Sequence, residues 1–285
     1  MLSYLHAFHA GNFADVQKHA ALLLALTMMQ AKKSPIACFD THAGSALYNL
    51  TDQRARKTSE ADAGVQRLWQ CRTALSSADW HPMLSVLSEV NTPRGSAAPE
   101  SLSAYPGSPD WFARSLRPGD RLTAFELHPS EGDRLAQWAQ QNDGVQVRHQ
   151  DGLKGLLQSL PPAQPRLLVL IDPSYEIKSD YTAVAETVIK AWKKCRHGVF
   201  LIWYPILAHG LEQPLLERLG RGNVPKILRS EVRLDRPPER GMVGSGMLVV
   251  NPPWGFDDRL KTMLADVSGP ERLGLTATMN WLVPE

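Results

Sequence analysis

Short runs of apolar and β-branched residues recur along the chain, and each run ends in a polar or glycine-containing turn. Several of the runs are apolar at consecutive positions, which is typical of strands that are buried on both faces of a sheet. The pattern predicts seven strands, at Pro35–Asp40, Arg121–Leu127, Val145–Gln150, Leu167–Asp172, Gly198–Tyr204, Lys226–Leu234 and Gly246–Asn251.

Segments of helical length separate most of these runs. They are Asn12–Ala31, Pro129–Gln141, Leu153–Leu160, Tyr181–Cys195 and Pro214–Leu219. Because strands and helices alternate, we expect an α/β fold with a doubly wound, mostly parallel sheet.

One interval breaks this alternation. Eighty residues, 41–120, separate the first strand from the second, whereas a whole strand–helix–strand unit takes about 30 residues. Within the interval, Ser59–Ala78 and Met83–Val90 have helical spacing. We therefore expect a small helical subdomain, residues 51–104, inserted into a domain made of residues 1–50 and 105–285. One long lid loop is the alternative.

The composition is that of an ordinary globular protein. Of 285 residues, 43% are hydrophobic and 21% are charged, which excludes a disordered or collagen-like chain. The formal charge of +2 excludes a histone-like polycation. Three cysteines without a CxxC spacing predict reduced thiols rather than a disulfide framework or a zinc site. With no secretion signal and no membrane-spanning run visible, we expect a cytoplasmic protein.

Acidic residues follow several predicted strands directly. The first strand ends in Asp40 and is followed by a turn with Gly44, Glu126 lies at the end of the second strand, and Asp151-Gly152 follows the third. In open α/β sheets, ligands bind at the carboxyl ends of the strands, where a carboxylate can accept the hydroxyl groups of a ribose. The alternative for each acid taken alone is a helix cap or a solvated turn.

The fourth strand ends in the sequence Asp172–Tyr175, DPSY. An Asp side chain and the Pro173 carbonyl can accept the two hydrogens of a nucleobase amino group, and Tyr175 can stack on the base. The alternative is a simple Asp-Pro turn. An amino group inside a duplex would have to be flipped out to reach such a site.

These residues carry a family resemblance. DPSY resembles the (D/N)PP(Y/F/W) motif of S-adenosylmethionine-dependent methyltransferases that act on amino groups. The chain as a whole is similar to the RlmJ family of 23S rRNA adenine-N6 methyltransferases, on the motifs LSY.H.FHAGN.ADV.KH, DTHAG, YPGSP, ELHPS, LIDP.Y, WYP, GM..SGM.V.NPPW and W.VPE. The match runs from Leu2 to Glu285. It departs from the family at Ser174, which stands at the second proline, and at Ala46, which stands at a glycine.

The resemblance implies a Rossmann-like class I methyltransferase fold with a helical insertion. It also implies transfer of a methyl group from S-adenosylmethionine to N6 of a flipped-out adenine in large-subunit (23S) rRNA, with S-adenosylhomocysteine as product. The expected partner is a hairpin in protein-free or early-assembly rRNA. We further expect a monomer that needs no metal and no membrane.

The resemblance also implies roles for individual residues. Asp172, Pro173 and Tyr175 would be catalytic, and Tyr4 and Tyr175 would contact the substrate base or RNA. The cofactor would be bound by Lys18, His19, His42, Ser108, Glu126, Asp151, Gly152 and Asp172.

The same sequence also bears on three other functions: an oxidoreductase, a non-catalytic nucleic-acid-binding protein and a metal-binding protein. A nicotinamide oxidoreductase would show GxGxxG, which is absent. A non-catalytic nucleic-acid-binding protein, linked to the use of external DNA, remains the alternative. His6, His9 and His19 share no metal-ligand spacing with cysteines or acids. Trp203 and Trp254 are expected in the core or in a pocket wall, with stacking on RNA as the less favoured interpretation.

Overall fold

A large mixed sheet forms the centre of the protein. The computed structural model describes residues 6–93 and 95–285. The strands are β1 (Ile36–Asp40), β2 (Leu47–Asn49), β3 (Ala104–Pro106), β4 (Arg121–Phe125), β5 (Val145–Arg148), β6 (Arg166–Ile171), β7 (Val199–Leu207), β8 (Ile227–Leu234), β9 (Met242–Val250) and β10 (Leu275–Val283). Eight of them form one sheet in the order β10-β8-β9-β7-β6-β1-β4-β5, and β2 pairs with β3 separately.

The strand directions place five carboxyl ends together. Strands β5, β4, β1, β6 and β7 are parallel to one another. Strand β9 is antiparallel to β7 and to β8, and β10 is antiparallel to β8. The carboxyl ends of the five parallel strands therefore lie next to one another, at one end of the strands. We call this end of the sheet the carboxyl edge.

Helices cover both faces of this sheet. They are α1 (Phe13–Gln30), α2 (Gln53–Thr58), α3 (Glu60–Ala63), α4 (Val65–Gln70), α5 (His81–Asn91), α6 (Ser108–Ala113), α7 (Pro129–Ala139), α8 (Gly152–Ser159), α9 (Ser179–Lys194), α10 (Gln213–Gly220) and α11 (Phe256–Val267). One hydrophobic core lies between the sheet and α1, α5, α6, α7 and α11. A second core lies between the sheet and α8, α9 and α10.

Strand β6 shows how the sequence builds the two cores. Leu168 and Leu170 enter the core beside α1, and Leu167, Val169 and Ile171 enter the core beside α9. Alternate side chains of a strand point to opposite faces, so a run of consecutive apolar residues is needed when both faces are covered. Each fully buried side chain of this kind contributes about 1.5–3 kcal/mol.

The predicted class of fold is confirmed, with one more strand than expected in the main sheet. All seven predicted strands are present, at β1 and β4 to β9. The eighth, β10, is an edge strand whose residues are mostly half-buried or exposed, so it lacks the continuous apolar run that marks the others. Helices α6 and α11 and the small β2–β3 sheet also lie outside the predicted elements.

The long interval after β1 holds helices α2 to α5. Leu68, Trp69, Trp80, Met83 and Leu87 of this interval are buried in the core that contains α1 and α11. The assignment of residues 51–104 to a separate subdomain stays a prediction. In the described part of the chain, no helix combines the length and the apolarity that crossing a membrane requires.

Candidate active site

Four acidic residues lie at the carboxyl edge of the sheet. Asp40 is the last residue of β1, where it pairs in register with Ala124 of β4 and Leu170 of β6. Glu126 follows β4 and Asp172 follows β6. Asp151 precedes α8, close after β5. Since neighbouring strands are about 4.8 Å apart, the fold gathers these acids from distant parts of the sequence.

Asp40 is a fully buried carboxyl group, close enough to the Ser108 side chain and the His42 backbone N–H for both to lower its pKa. Both of its carboxylate oxygens lack a hydrogen-bond partner among residues 6–93 and 95–285. Burial raises the pKa of Asp40 to about 7, and the neighbouring Ser108 and Lys18 oppose this rise. A buried polar group left unpaired is costly, so this carboxyl group is suited to a ligand that brings a positive charge.

Asp172 is held by an ion pair with Lys18 of helix α1. Lys18 Nζ contacts Asp172 Oδ2 and also lies 2.8 Å from Asp15 Oδ1. The Lys18 and Asp172 side chains are only 5% and 12% exposed. Burial raises the pKa of Asp172, and Lys18 opposes the rise. Burial disfavours the Lys18 ammonium, but Asp15 and Asp172 outweigh this effect and raise its pKa.

Helix α1 brings Lys18 to the site, and its first turn fixes the helix in place. Asn12 is the N-cap, and its Oδ1 accepts from the Asp15 backbone N–H at 2.9 Å. Asp15 Oδ2 accepts from the Gly11 N–H at 2.8 Å and pairs with His6 Nε2 at 2.9 Å. Asp15 and Lys18 are three positions apart, so they share one face of the helix. Asp15 was not among the predicted site residues, although this spacing is visible in the sequence.

Tyr175 is packed into the core beside the site. Its side chain is 6% exposed. The ring stacks on Tyr181 with centroids 4.3 Å apart, and the hydroxyl donates to the Trp203 carbonyl at 2.7 Å. Its φ of 52° lies in the left-handed region, which costs a non-glycine residue about 1–3 kcal/mol and is found at functional turns. Pro173 is buried in the same turn.

Glu126 joins two turns at the carboxyl edge. Its Oε2 accepts from the Gly44 N–H and its Oε1 from the His128 N–H, both at 2.7 Å. Gly44 has a φ of +59°, and a Cβ there would lie 2.6 Å from the Tyr48 hydroxyl oxygen. Each carboxylate oxygen retains a second lone pair, so Glu126 can still accept hydrogen bonds from a ligand.

Asp151 and Gly152 form the start of helix α8. Asp151 is the N-cap and accepts from the Lys154 N–H at 3.0 Å, so it has the capping role that was the alternative for this residue. Its side chain remains 42% exposed and accessible to a ligand. A Cβ on Gly152 would lie 1.7 Å from the Thr41 carbonyl oxygen, which requires glycine there.

Three further predicted cofactor residues surround this edge. His42 is half-buried with its Nδ1 2.8 Å from Thr41 Oγ1, and burial lowers its pKa to about 4. Ser108 is 6% exposed at the first position of α6. His19 is buried with its Nδ1 2.7 Å from the Tyr105 hydroxyl, and its Nε2 has no hydrogen-bond partner among the described residues.

The remaining predictions for aromatic residues concern Tyr4, Trp203 and Trp254. Tyr4 lies outside the described residues. Trp203 is half-buried beside Tyr175, with Lys18 Nζ 5.8 Å from its ring centroid. Trp254 is 97% exposed, so its expected place in the core or a pocket wall is wrong. It follows β9, which is antiparallel to β7, and therefore lies at the end of the sheet opposite the carboxyl edge.

Within residues 6–93 and 95–285, no group of three or more His, Cys, Asp or Glu is arranged to hold a metal.

Comparison with known proteins identifies the family. A family model described as "Ribosomal RNA large subunit methyltransferase D, RlmJ" matches residues 33–283. The chain belongs to this RlmJ family. It is 36% identical to the ribosomal RNA large subunit methyltransferase J of Escherichia coli and 36% identical to that of Haemophilus influenzae, in each case over the whole of both chains.

A solved structure supports the assignment at the level of the fold. A protein from Legionella pneumophila superposes with a TM-score of 0.86 at 32% identity, covering 96% of this chain and 98% of that one. The predicted family and fold are thus confirmed.

Proposed function

We propose that this protein transfers a methyl group from S-adenosylmethionine to N6 of a flipped-out adenine in 23S rRNA. Membership of the RlmJ family supports methylation of large-subunit rRNA. The observation that supports amino-group chemistry is Asp172 at the end of β6, held by Lys18 through Oδ2, which leaves Oδ1 to accept a hydrogen bond. We further propose a protein-free or early-assembly rRNA hairpin as substrate, methylated by a monomer in the cytoplasm.

The residues at the carboxyl edge fit S-adenosylmethionine. When bound, this cofactor supplies an electrophilic methyl group on a positively charged sulfonium. Asp40 is a buried carboxyl group, and Asp172 lies close enough to raise its pKa. A cation beside them would relieve the cost of their ionisation. Among the buried polar atoms without a hydrogen-bond partner in the described residues are both oxygens of Asp40 and Nε2 of His19, which could bond to a ligand.

The other predicted residues would each bind a different part of the cofactor. Glu126 would accept the ribose hydroxyls while keeping its bonds to the Gly44 and His128 backbones. Asp151 and Gly152 would contact the adenine of the cofactor. Lys18, His19, His42 and Ser108 would enclose its methionine part. Neutral imidazole is expected at His42 because of its lowered pKa, so it would add no repulsive charge to the sulfonium.

Asp172 would act on the amino group of the target adenine. Its carboxylate and the Pro173 carbonyl would accept the two N6 hydrogens and direct the nitrogen lone pair towards the methyl carbon. The amino nitrogen would form the N–C bond as the S–C bond of the donor breaks, and the electron pair of that S–C bond would stay on the sulfur of the product S-adenosylhomocysteine. The methylated nitrogen then loses one proton, first to Asp172 and then to solvent. Lys18 would keep Asp172 ionised in its buried position.

The target base would be held by aromatic contacts after it leaves its stack. Unstacking costs a few kcal/mol, and stacking on an aromatic ring recovers about 1–3 kcal/mol. One face of the Tyr175 ring packs on Tyr181 and the residue is only 6% exposed, so a base could contact only the small part of the ring that stays accessible. Tyr4 is the second proposed contact to the base or RNA.

Incubation with protein-free 23S rRNA and isotopically labelled S-adenosylmethionine tests this function. We expect labelled N6-methyladenosine after digestion to nucleosides and mass spectrometry, and we expect this adenine to be unmodified in rRNA from cells that lack the gene. Calorimetry should show cofactor binding. An rRNA with identical adenine methylation in cells with and without the gene would contradict this substrate. Absence of cofactor binding at millimolar concentration would favour the non-catalytic alternative.

A further inference from the structure

Glu60, in the short helix α3, contacts the segment that leads into helix α1. Glu60 Oε1 lies 2.9 Å from His9 Nδ1, and Glu60 Oε2 accepts from Asn12 Nδ2 at 3.0 Å. These pairs span 51 and 48 positions of the sequence. Burial raises the pKa of Glu60, but the hydrogen bonds from His9 and Asn12 outweigh it and the pKa is lowered. Both oxygens of this carboxylate are therefore used to hold residues 9–12.

Backbone contacts reinforce this attachment. The Val65 N–H donates to the Gly11 carbonyl at 2.8 Å. The Thr58 hydroxyl donates to the Phe8 carbonyl. A Cβ on Gly64 would lie 2.2 Å from the Gly11 carbonyl oxygen, so the two chain segments touch at their backbones. The segment before α1 is thus fixed by helices α2 to α4, which come from the interval between β2 and β3.

From Glu60, polar contacts continue to the proposed catalytic carboxylate. The Asn12 side chain that donates to Glu60 accepts, through Oδ1, from the Asp15 N–H. Asp15 Oδ1 lies 2.8 Å from Lys18 Nζ, and Lys18 pairs with Asp172. One continuous series of contacts therefore runs from Glu60 through Asn12, Asp15 and Lys18 to Asp172. We call it the Glu60–Asp172 chain.

We propose that Glu60 is a positioning residue for methyl transfer, which acts from the inserted helices by fixing the start of helix α1. The inference rests on the proposed function. An amide side chain has one donor end and one acceptor end. Because Glu60 is acceptor-only, it orients the Asn12 amide with Nδ2 towards itself and Oδ1 towards the Asp15 N–H. This orientation fixes the first turn of α1, from which Asp15 and Lys18 reach Asp172.

The same attachment holds the segment that carries His6 against Asp15. Glu126 and Asp151, which would bind the ribose and the adenine of the cofactor, make their hydrogen bonds to other parts of the described chain and not to Glu60. Loss of Glu60 should therefore affect the transfer step more than it affects cofactor affinity.

Single-turnover methylation of 23S rRNA by the full-length protein tests the proposal. We expect Glu60→Ala to lower the rate about tenfold, because small errors of placement at reacting groups are costly. The Kd for S-adenosylmethionine should rise less than the rate falls, because Glu126 and Asp151, which would bind its ribose and adenine, have no hydrogen bond to Glu60 or to Asn12 in the described part of the chain. Asp62→Ala is the matched control, since it removes an exposed acid from the same helix and should leave the rate unchanged. Glu60→Gln retains one acceptor oxygen for Asn12 and should recover most of the rate.

Asn12→Asp gives a second, independent variant. Aspartate caps a helix as well as asparagine does, so α1 should still form, but a carboxylate cannot donate to Glu60. We expect the rate to fall as it does in Glu60→Ala, and the double variant Glu60→Ala/Asn12→Asp to lose no more than either single variant.

The outcomes separate this proposal from the function on which it rests. If the wild-type protein does not methylate the RNA, the proposed function fails. If the wild type is active and both Glu60→Ala and Asn12→Asp react at its rate, the positioning role is overturned. Equal losses in Glu60→Ala and Asp62→Ala, or a loss of cofactor affinity that matches the loss of rate, would also overturn it.

Discussion

Lys18 and Asp172 lie 154 positions apart in the sequence and form a buried ion pair at the carboxyl edge of the sheet. Lys18 is also paired with Asp15, so one ammonium group compensates two buried carboxylates. Breaking a buried pair by removing one partner leaves an uncompensated charge and is strongly destabilising. The pair therefore couples the stability of α1 to the ionisation of the proposed catalytic group.

Replacing Lys18 should affect both stability and pH dependence. We expect Lys18→Met to lower the free energy of unfolding by about 3–5 kcal/mol. The loss should be larger at pH 8 than at pH 5, because the carboxylates ionise as the pH rises. Without Lys18, the pKa of Asp172 should rise further, and the acidic limb of the pH–rate profile should move to higher pH. Chemical denaturation and rates from pH 5 to 9 measure both effects.

Lys33→Met is the control for this change, since Lys33 is an exposed lysine beyond the end of α1. It should match the wild type in both measurements. A Lys18→Met protein with unchanged stability and an unchanged pH profile would show that the ion pair has neither role.

Glu126 should contribute mainly to cofactor affinity. A hydrogen bond to a charged group is worth about 1.5–3 kcal/mol, so Glu126→Ala should raise the Kd for S-adenosylmethionine about 10- to 150-fold. Calorimetry measures this, and the rate at saturating cofactor should change far less. Glu89→Ala, which removes an acid that is 70% exposed, serves as the control. An unaltered Kd in Glu126→Ala would exclude a ribose contact.

Asp40 should make both stability and cofactor binding depend on pH. Its pKa rises from 3.8 to about 7 in the folded protein, mainly through burial. The folded state therefore holds this proton more tightly, and stability should fall as the pH rises from about 4 to about 7. Asp40→Asn should flatten this decline in Tm, measured by thermal unfolding without cofactor.

The affinity for the cofactor should depend on pH in the opposite direction to the stability. If a cationic group of S-adenosylmethionine lies beside Asp40, affinity should increase as the pH rises through about 7, and Asp40→Asn should remove the increase. Calorimetry at pH 6, 7 and 8 measures it. A pH-independent Kd in the wild type would argue against this contact.

Gly152 should tolerate no side chain. Since a Cβ would lie 1.7 Å from the Thr41 carbonyl oxygen, Gly152→Ala must displace either the start of α8 or the turn after β1. We expect a lower Tm and weaker cofactor binding. Gly220→Ala, where a Cβ meets nothing within 4 Å, is the matched control and should change neither. A Gly152→Ala protein as stable as the wild type would contradict this packing.

The fold could be predicted largely because buried parallel strands leave a clear mark in sequence. Strand β6 is apolar at five consecutive buried positions, so both its existence and its central place are visible. After Leu275, strand β10 has only half-buried and exposed residues at the edge of the sheet, and no continuous apolar run marks it. Trp254 shows a different limit, because an apolar side chain in a loop can be wholly exposed and composition does not distinguish this from burial.

The candidate site could be predicted only where it follows the strands. Asp40, Glu126 and Asp172 come directly at strand ends, so the topology alone brings them to one edge. The contacts of Glu60 with Asn12 and of Lys18 with Asp172 depend on how helices pack over the sheet. No local pattern encodes such long-range pairs, and the resemblance to the RlmJ family pointed to Lys18 but to neither Asp15 nor Glu60.

The single-turnover rate of Asp172→Ala at saturating cofactor tests the central claim most directly. If Asp172 accepts the amino hydrogens and then the proton, its loss should lower the rate by a factor of about 10²–10⁴. The Kd for S-adenosylmethionine should change little, because the acceptor acts mainly in the transition state. A rate near that of the wild type, with folding intact, would contradict the account and move the catalytic role to another residue.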